Sequence, residues 1–358
     1  MKTATLNKGK EMKYLNGYPL IDDEDVFAHD HLKEGDLFLL VNDKHQFIAT
    51  AYVGRQHKGL GWVLSYDKDE EINIRFFESL FETAKEERSY FYNIEGTNAF
   101  RVFNGEGDGV GGLTIDNYNG HFLIQWYSKG IYKYRYQILN ALKNVFKYTS
   151  LFEKMRFKDA HIEGGFVDGE VPEFPIVIEE NHTFYNVDLN DGPMTGIFLD
   201  QKEVRKKLRD QFADNRYLLN MFSYTGAFSV VSAEKAKVTT SVDLANRSRS
   251  LTEENFGLNA IDPPSFARNK KKTFSVLKDY DKLILGALEI LSPGGTLLLC
   301  TNNSTFSLKA FKKVIKDTLN RAEVDFEFLE VMGLPKDFKT HPHYKPSKYL
   351  KAIFVNVQ

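Results

Sequence analysis

Cysteine is almost absent from this chain of 358 residues, in which Cys300 is the single one. A lone cysteine forms no internal disulfide and excludes a zinc site built from several cysteines, so we expect no metal. No apolar run approaches the ~20 residues of a membrane-spanning helix, and Met1–Pro19 lacks the apolar core of a signal peptide. We therefore expect a cytoplasmic protein without a membrane partner.

An excess of charge of either sign is also missing. Lys+Arg number 47 and Asp+Glu 49, so any nucleic-acid binding must depend on local basic surface rather than on an overall field. Hydrophobic residues at 42% and charged residues at 27% indicate a globular protein rather than a disordered one. The length is sufficient for two or three domains.

The pattern of apolar segments predicts three domains. Residues 1–75 are β-rich, and residues 76–188 begin with a linking helix and continue as an α+β domain. The glycine-rich segment Gly105–Gly112 in this part lacks the lysine of a P-loop, so it is interpreted as a turn. From 189 to 358 strands and helices alternate, which is typical of a mainly parallel α/β sheet.

The segment Leu218–Phe228 has the pattern of a buried strand, a tight turn at Thr225-Gly226 and the start of a helix. Ligands of open α/β sheets bind beyond the carboxyl end of a strand, at the loop that connects it to the following helix. A second strand, Val238–Val242, ends at Asp243, which is placed to accept the hydroxyls of a ribose. The alternative is that the turn and Asp243 only cap their own elements.

The number of glycines in this turn limits the cofactor. A dinucleotide requires G-x-G-x-x-G so that the backbone can approach a pyrophosphate, and Gly226 stands here alone. A nucleoside cofactor without phosphates makes no such demand. The predicted cofactor is therefore S-adenosylmethionine (SAM).

A second candidate site is Asp262-Pro263-Pro264-Ser265-Phe266, expected at the carboxyl end of the fourth strand. The prolines would stop the strand and stiffen its exit, so that Asp262 and the prolyl carbonyls could bind the edge of a base. The alternative is a rigid surface turn. Arg268, Lys270 and Lys271 follow directly and are candidates for contacts with phosphates.

The chain is unexpectedly short before this segment. Only Leu258, Asn259 and Ala260 separate the helix that ends near Gly257 from the strand end at Ile261-Asp262. A crossover between parallel strands needs about a dozen residues or more. Our hypothesis is that a third strand, its helix and most of the fourth strand are missing between Ala260 and Ile261.

Cys300 ends the next strand and is expected near both sites. A thiolate that adds to carbon 6 of a pyrimidine makes carbon 5 able to accept a methyl group. With an ordinary pKa of about 8.5, little thiolate exists at neutral pH, so a lowered pKa is expected. The alternative is that Cys300 is a small hydrophobic residue of the core.

Four segments together resemble the class I SAM-dependent large-subunit ribosomal RNA methyltransferases of the RlmI type. They are Gly105–Asp116, Thr195–Gln201, Asn220–Gly226 and Asp262–Phe266. The resemblance implies an N-terminal PUA domain, a central α+β domain and a C-terminal Rossmann-like methyltransferase domain. It also implies methylation of cytosine carbon 5 in 23S ribosomal RNA, with Cys300 as nucleophile. From its place in the Asp-Pro-Pro segment, Asp262 is expected to bind the edge of the base and to stabilise the adduct.

The resemblance implies SAM contacts for Phe198, Asp200, Gln201, Asn220 and Asp243, and the residue patterns described above supply the other expected binding residues. The complete set for SAM is Phe198, Asp200, Gln201, Asn220, Phe222, Tyr224, Thr225, Gly226, Asp243 and Asp262. Those for the RNA are Pro263, Pro264, Phe266, Arg268, Lys270 and Lys271.

Two features differ from the family pattern and keep alternatives open. No acidic third SAM motif follows Asn259, and Thr301-Asn302-Asn303 stands where a Cys-Ser pattern is expected. Methylation of an exocyclic amine or of guanine N7 is therefore the first alternative, and an RNA-binding protein without catalysis is the second. Homodimerisation is left open.

Overall fold

A computed structural model describes residues 1–56, 59–159, 161–190, 192–260, 265–267 and 276–358, with the backbone alone at 265–267 and 276–278. The chain forms two compact units. Unit 1 consists of Met1–His182, Val187–Thr195 and Asp337–Tyr344, and unit 2 of Thr183–Asn186, Gly196–Lys336 and Lys345–Gln358. The boundaries of the three expected domains stay a prediction.

The N-terminal part of unit 1 is a six-stranded sheet with strand order β2-β6-β5-β4-β1-β3. Its elements are β1 Lys2–Leu6, α1 Glu11–Leu15, β2 Leu20–Asp22, β3 Val26–Phe27, β4 Leu37–Val41, β5 Phe47–Gln56 and β6 Gly59–Ser65. The turn between β4 and β5 forms because Asn42 Oδ1 accepts hydrogen bonds from the backbone of Lys44 and Gln46, at 3.0 and 2.9 Å. His45 adopts a positive φ of 59° there.

The second part of unit 1 is a five-stranded sheet, ordered β11-β10-β9-β8-β7. Its elements are α2 Ile74–Glu87, β7 Ala99–Asn104, β8 Leu113–Tyr118, β9 His121–Trp126, α3 Lys129–Tyr132, α4 Arg135–Val145, β10 Ser150–Met155, β11 Gly165–Gly169 and β12 Ile176–Glu180. The apolar faces of α2 and α4 cover one side of the sheet, where Phe77, Phe81 and Leu142 join the same core as Phe103 and Trp126.

A buried ion pair fixes the end of α2 to the glycine-rich turn. Both side chains of Arg88 and Asp108 are 2% exposed, and Arg88 Nη2 lies 2.6 Å from Asp108 Oδ2. The guanidinium also donates to the carbonyls of Asp337 and Ala84, at 3.0 and 3.2 Å. Asp108 also accepts the Asn104 N–H at 2.6 Å and lies 3.9 Å from Lys339 Nζ, but removal of Arg88 would take away its closest charged partner in a buried position.

Unit 2 contains two three-stranded sheets, ordered β14-β15-β16 and β17-β19-β18. The first is parallel and the second antiparallel. The strands and helices from the entry into this unit onwards are β13 Thr183–Val187, α5 Lys202–Lys207 with a π-helical continuation Leu208–Phe212, β14 Tyr217–Met221, α6 Ala227–Ala233, β15 Val238–Val242, α7 Asn246–Leu258, β16 Ser265–Ala267, α8 Val276–Leu288, β17 Thr296–Thr301, α9 Leu308–Arg321, β18 Phe326–Met332 and β19 Lys351–Val357.

Both sheets of unit 2 pack on one apolar cluster. Leu218 of β14, Leu298 of β17 and Phe354 of β19 meet Val204 and Leu208 in it. Across the described ranges, however, no strand joins β14 to β17. This arrangement agrees with the hypothesis that a strand segment is missing after Asn259.

Two strand predictions were wrong. The strand at 217–221 is not buried, since Leu219 and Met221 are 42% and 41% exposed. The reason is that β14 has β15 as its one strand neighbour in the described part. Ser265 and Phe266 do not follow a fourth strand but lie within β16, opposite Thr240 and Ser241 of β15. The chain is too short here to form a crossover to the far side of the sheet.

Several predicted residues lie outside the described ranges. These are Asp262, Pro263, Pro264, Arg268, Lys270 and Lys271, together with the Ala260–Ile261 junction. No helix among the described residues is long and apolar enough to cross a membrane. The described His, Cys, Asp and Glu side chains likewise form no group of three that could hold a metal ion.

Replacement of Arg88 by Met should lower the free energy of unfolding of unit 1 by about 3–5 kcal/mol, because it leaves Asp108 buried without its closest charged partner. Tryptophan fluorescence during urea denaturation measures this unit, since Trp62 and Trp126 both belong to it. The matched control, in the same unit, is Arg55→Met, which breaks a more exposed pair with Glu34 and should cost less than about 1 kcal/mol. Equal costs for the two variants would contradict the structural role of the buried pair.

Candidate functional site

The turn from β14 to α6 has an unusual backbone. Phe222 and Tyr224 have positive φ angles of 60° and 52°, and Gly226 has a φ of 73°. A side chain at positive φ costs of the order of 1 kcal/mol, so such a turn persists only where its surroundings hold it. The Ser223 amide donates to the Val242 carbonyl at 3.0 Å, which ties the turn to the end of β15.

Helix α7 packs against the same turn and donates a hydrogen bond to it. The Asn255 side-chain amide donates to the Thr225 carbonyl at 2.9 Å. A Cβ atom on Gly226 would lie 2.4 Å from Thr252 Cγ2, so close packing and the positive φ both favour glycine at this position. The sequence pattern identified the glycine correctly, but its reason here is packing against α7 as well as backbone freedom.

Asp243 lies at the end of β15 and is half-buried. Its Oδ2 accepts the backbone N–H of Tyr224 at 2.8 Å, and its Oδ1 accepts that of Ala245 at 2.9 Å. Each carboxylate oxygen has a second lone pair, so both oxygens can still accept a hydroxyl. Asp243 therefore holds the strained turn, a role that the sequence did not indicate, and remains able to bind a ribose.

The segment around Gly196 is joined to this turn by two hydrogen bonds. The Gly196 amide donates to Tyr224 Oη at 2.9 Å, and Thr225 Oγ1 donates to the Gly196 carbonyl at 2.5 Å. The rings of Phe198 and Tyr224 lie 5.5 Å apart between centroids. Two segments that the sequence singled out separately therefore form one site, with Phe198 partly exposed at its surface.

The side chain of Asn220 is engaged within unit 2. Its amide nitrogen donates to Ser229 Oγ at 3.0 Å, and Ser229 Oγ lies 2.7 Å from Ser241 Oγ. This buried polar chain connects β14, α6 and β15. The two serines were missed by sequence reasoning because an isolated serine in an apolar helix or strand gives no signal.

Two buried acceptors at this site fit a bound polar ligand. Gln201 Oε1 and Ser223 Oγ are buried and have no hydrogen-bond partner among the described residues. Buried polar atoms are nearly always paired, and an orphaned one costs about 1–3 kcal/mol. The amino and hydroxyl groups of a nucleoside-type cofactor such as SAM would satisfy both atoms.

Asp200 and Arg205 have partners that the sequence did not reveal. Tyr349 Oη donates to Asp200 Oδ2 at 2.9 Å, across 149 positions of sequence. Arg205 Nη2 donates to the Phe198 carbonyl at 2.9 Å, and its guanidinium lies 5.7 Å from the Phe228 ring centroid. A buried arginine at helical spacing from Phe198 could have suggested the second contact, whereas nothing local suggests the first.

Cys300 differs from the expectation of an activated thiol. It is a half-buried member of the apolar cluster that includes Leu298 and Phe354. Burial, followed by the negative charge of Asp200, raises the pKa of the Cys300 thiol to about 12. The predicted lowering of this pKa was wrong, because the side chain projects from the strand into apolar surroundings near a carboxylate rather than toward cations.

Comparison with known proteins gives the following similarities. Residues 4–66 match the family of PUA-like domains. The chain is 42% identical over 99% of both chains to YwbD of Bacillus subtilis (strain 168), which carries the provisional name ribosomal RNA large subunit methyltransferase. It is 27% identical to ribosomal RNA large subunit methyltransferase I of Aeromonas salmonicida (strain A449), over 99% of this chain and 98% of the other.

A solved structure covers the whole chain. It is SMU.776, provisionally assigned as a methyltransferase and complexed with SAH, which superposes with a TM-score of 0.92 at 34% identity over 100% of both chains. The alignment with YwbD extends over 393 positions, more than the 358 residues here, so that relative has residues without a counterpart in this chain. This supports the hypothesis of a missing segment, although the comparison does not locate it.

Replacement of Asp243 by Ala should weaken the binding of SAH by at least about tenfold. The backbone N–H of Tyr224 would lose its hydrogen-bond acceptor, and the ribose would lose its proposed charged partner. Isothermal titration calorimetry measures this affinity without any RNA. Glu253→Ala, an exposed substitution on α7, is the control and should leave the affinity unchanged. An unaltered affinity in the Asp243 variant would exclude that residue from the cofactor site.

Cys300 should react with iodoacetamide more than about a hundredfold more slowly at pH 8 than the same thiol in urea, because thiolate is the reactive species. Since the folded pKa lies above the unfolded one, the folded-state rate should continue to rise about tenfold per pH unit from pH 8 to 10. Mass spectrometry follows the single thiol directly. A rate that already levels off below pH 8 would show an activated cysteine instead.

Proposed function

Because the chain belongs to the family of SAM-dependent large-subunit ribosomal RNA methyltransferases, we propose that it methylates a nitrogen of a base in 23S ribosomal RNA. The family assignment makes SAM its cofactor and large-subunit ribosomal RNA its substrate. Nitrogen as the acceptor atom and 23S as the RNA are our proposal. The environment of Cys300 is the observation that carries the choice of nitrogen.

A nitrogen acceptor does not need a nucleophile from the protein. When bound, SAM supplies an electrophilic methyl group on a sulfonium sulfur. A base nitrogen donates its lone pair to that carbon while the carbon–sulfur bond breaks and its electrons remain on sulfur. An exocyclic amine then loses a proton, whereas guanine N7 becomes positively charged and loses none. The protein has to bind, orient and exclude water.

The residues proposed to hold the cofactor surround the turn between β14 and α6. Asp243 would accept the ribose hydroxyls, and Gln201 Oε1 and Ser223 Oγ would receive the donors that they lack among the described residues. Phe198 and Tyr224 would give an aromatic wall to the adenine, since their rings already lie together. Asp200, Asn220, Phe222, Thr225 and Gly226 complete the proposed set.

The base and the RNA backbone are proposed to bind at the segment that follows α7. Asp262, Pro263 and Pro264 would hold the edge of the base, and Phe266 would lie against it. Arg268, Lys270 and Lys271 would neutralise neighbouring phosphates, which is the usual source of affinity for nucleic acids. These roles derive from the sequence, and within this segment the structure describes the strand β16 alone.

Methylation of cytosine carbon 5 is the second candidate, favoured by the resemblance to the RlmI type. Its first step is addition of the Cys300 thiolate to carbon 6 of the base. With a pKa of about 12, roughly one thiol in 10⁵ is ionised at pH 7. Catalysis by this route would require bound RNA or SAM to lower the pKa substantially, and Asp200 acts in the opposite direction.

The two candidates predict opposite outcomes for Cys300→Ser. Nitrogen methylation should continue within about threefold of the wild-type rate, because a serine fills nearly the same space on β17. The carbon-5 route should lose turnover by several orders of magnitude, because a serine hydroxyl does not form the adduct. Activity is measured as transfer of labelled methyl groups to ribosomal RNA from cells that lack this protein.

The modified nucleoside itself decides the chemistry. Digestion of the labelled RNA followed by mass spectrometry separates 5-methylcytidine from N-methylated bases. Cys300→Ala, which also removes the thiol, is the matched variant, and thermal melting of both proteins controls for folding. Recovery of labelled 5-methylcytidine from the wild type, lost in both variants, would overturn the nitrogen proposal and leave the family assignment intact.

A further inference from the structure

Lys351 is a buried lysine at the carboxyl end of β17. It is 7% exposed and lies opposite Thr301 in the antiparallel pairing of β19 with β17. Among the described residues its ammonium group pairs with backbone carbonyls rather than with a carboxylate, and burial lowers its pKa. Burying a cation without a counter-charge is costly, so such a lysine needs a structural or functional reason.

The ammonium group of Lys351 connects two loops through backbone carbonyls. It donates to the Asn303 carbonyl at 2.8 Å and to the Tyr349 carbonyl at 2.9 Å. Asn303 belongs to the loop that leads from β17 to α9, and Tyr349 lies just before β19. One side chain therefore fixes the positions of both loops at the same edge of the sheet.

One of these loops leads into α9, and the other contacts a residue of the proposed cofactor site. Asn303 Oδ1 accepts hydrogen bonds from the backbone and hydroxyl of Thr305, at 2.9 and 2.8 Å, and so organises the entry into α9. Tyr349 Oη donates to Asp200 Oδ2 at 2.9 Å. The Asp200 carboxylate is in turn close enough to Cys300 to raise the pKa of its thiol. Lys351 is thus two contacts away from a proposed cofactor residue.

We propose that Lys351 is a positioning residue of the methyltransferase, which holds the loop after β17 and, through Tyr349, the carboxylate of Asp200. The inference uses the cofactor site of the proposed function but is independent of which base atom receives the methyl group. Its charge strengthens both carbonyl contacts, since a hydrogen bond from a charged donor is about twice as strong as a neutral one. A neutral side chain of the same length would leave two loops without their common anchor.

The position of Lys351 also distinguishes it from the surface lysines of the same region. Lys309, Lys313 and Lys316 on α9 are exposed, and Lys313 pairs with Asp317 on the same helix. Exposed pairs of this kind contribute little. Lys348 is also exposed and is three positions from Lys351, which makes it a suitable control.

The test compares Lys351→Met, Lys351→Arg and Tyr349→Phe in the full chain, with Lys348→Met as the control. SAH affinity is measured by calorimetry, and kcat and KM for ribosomal RNA by methyl transfer at saturating SAM. Lys351→Met should weaken SAH binding about fivefold or more and lower kcat by about tenfold or more, because both loops lose a charged hydrogen bond. Tyr349→Phe should weaken SAH binding to a similar extent but reduce kcat less, since the loop after β17 keeps its anchor.

Lys351→Arg should recover at least about half of the lost affinity and rate, because it restores a cation that can donate to both carbonyls. Lys348→Met should behave as the wild type. Wild-type SAH affinity together with wild-type kcat in Lys351→Met would overturn the inference. A loss that Lys351→Arg does not relieve, with SAH affinity unchanged, would also overturn it, because it would indicate packing alone. Absence of SAH binding by the wild-type chain would instead count against the proposed function.

Discussion

The backbone of one turn, and the carboxylate that holds it, is the constraint on which the candidate site depends. Between β14 and α6 the chain adopts positive φ angles at two residues with side chains, a conformation that would not persist in isolation. Asp243 accepts an N–H from the middle of this turn, Asn255 donates to it from α7, and Gly196 contacts it twice from another segment. Strain is thus distributed over several supports. The same supports hold the groups that are proposed to face the cofactor.

Sequence reasoning singled out the segments of the candidate site because their signals are local. The Thr-Gly turn, the acid after the next strand and the Thr195–Gln201 stretch each have a recognisable pattern, and the structure brings them together. Sequence reasoning was wrong where a residue's environment depends on segments that are distant in the sequence. The burial of a strand depends on its neighbours, so the exposure of Leu219 and Met221 could not be read from an apolar pattern. Ser265 and Phe266 were misplaced for a similar reason, since their position depends on pairing with β15.

Cys300 shows why residue type and position do not fix reactivity. The sequence predicted a thiol at the end of a strand, close to the turn proposed to bind the cofactor. In the structure Cys300 does lie near the carboxyl end of β17. Side chains on a strand alternate between faces, and the face on which Cys300 lies is covered by the apolar side of α5 and its π-helical continuation. An apolar neighbourhood favours the uncharged thiol. The reactivity of Cys300 therefore depends more on the face of β17 from which its side chain projects than on its being a cysteine.

Strand β14 has one strand neighbour in the part of the chain that the structure describes, which has a consequence for the behaviour of the chain in concentrated solution. A strand with one neighbour presents a row of unpaired backbone groups, and Tyr217, Leu219 and Met221 add apolar surface along the same element. Such an edge is a template for pairing with strands of other molecules unless charge, proline or a covering element blocks it. The residues that YwbD has in excess of this chain would be one means of covering it. We therefore expect self-association of the chain to increase with its concentration.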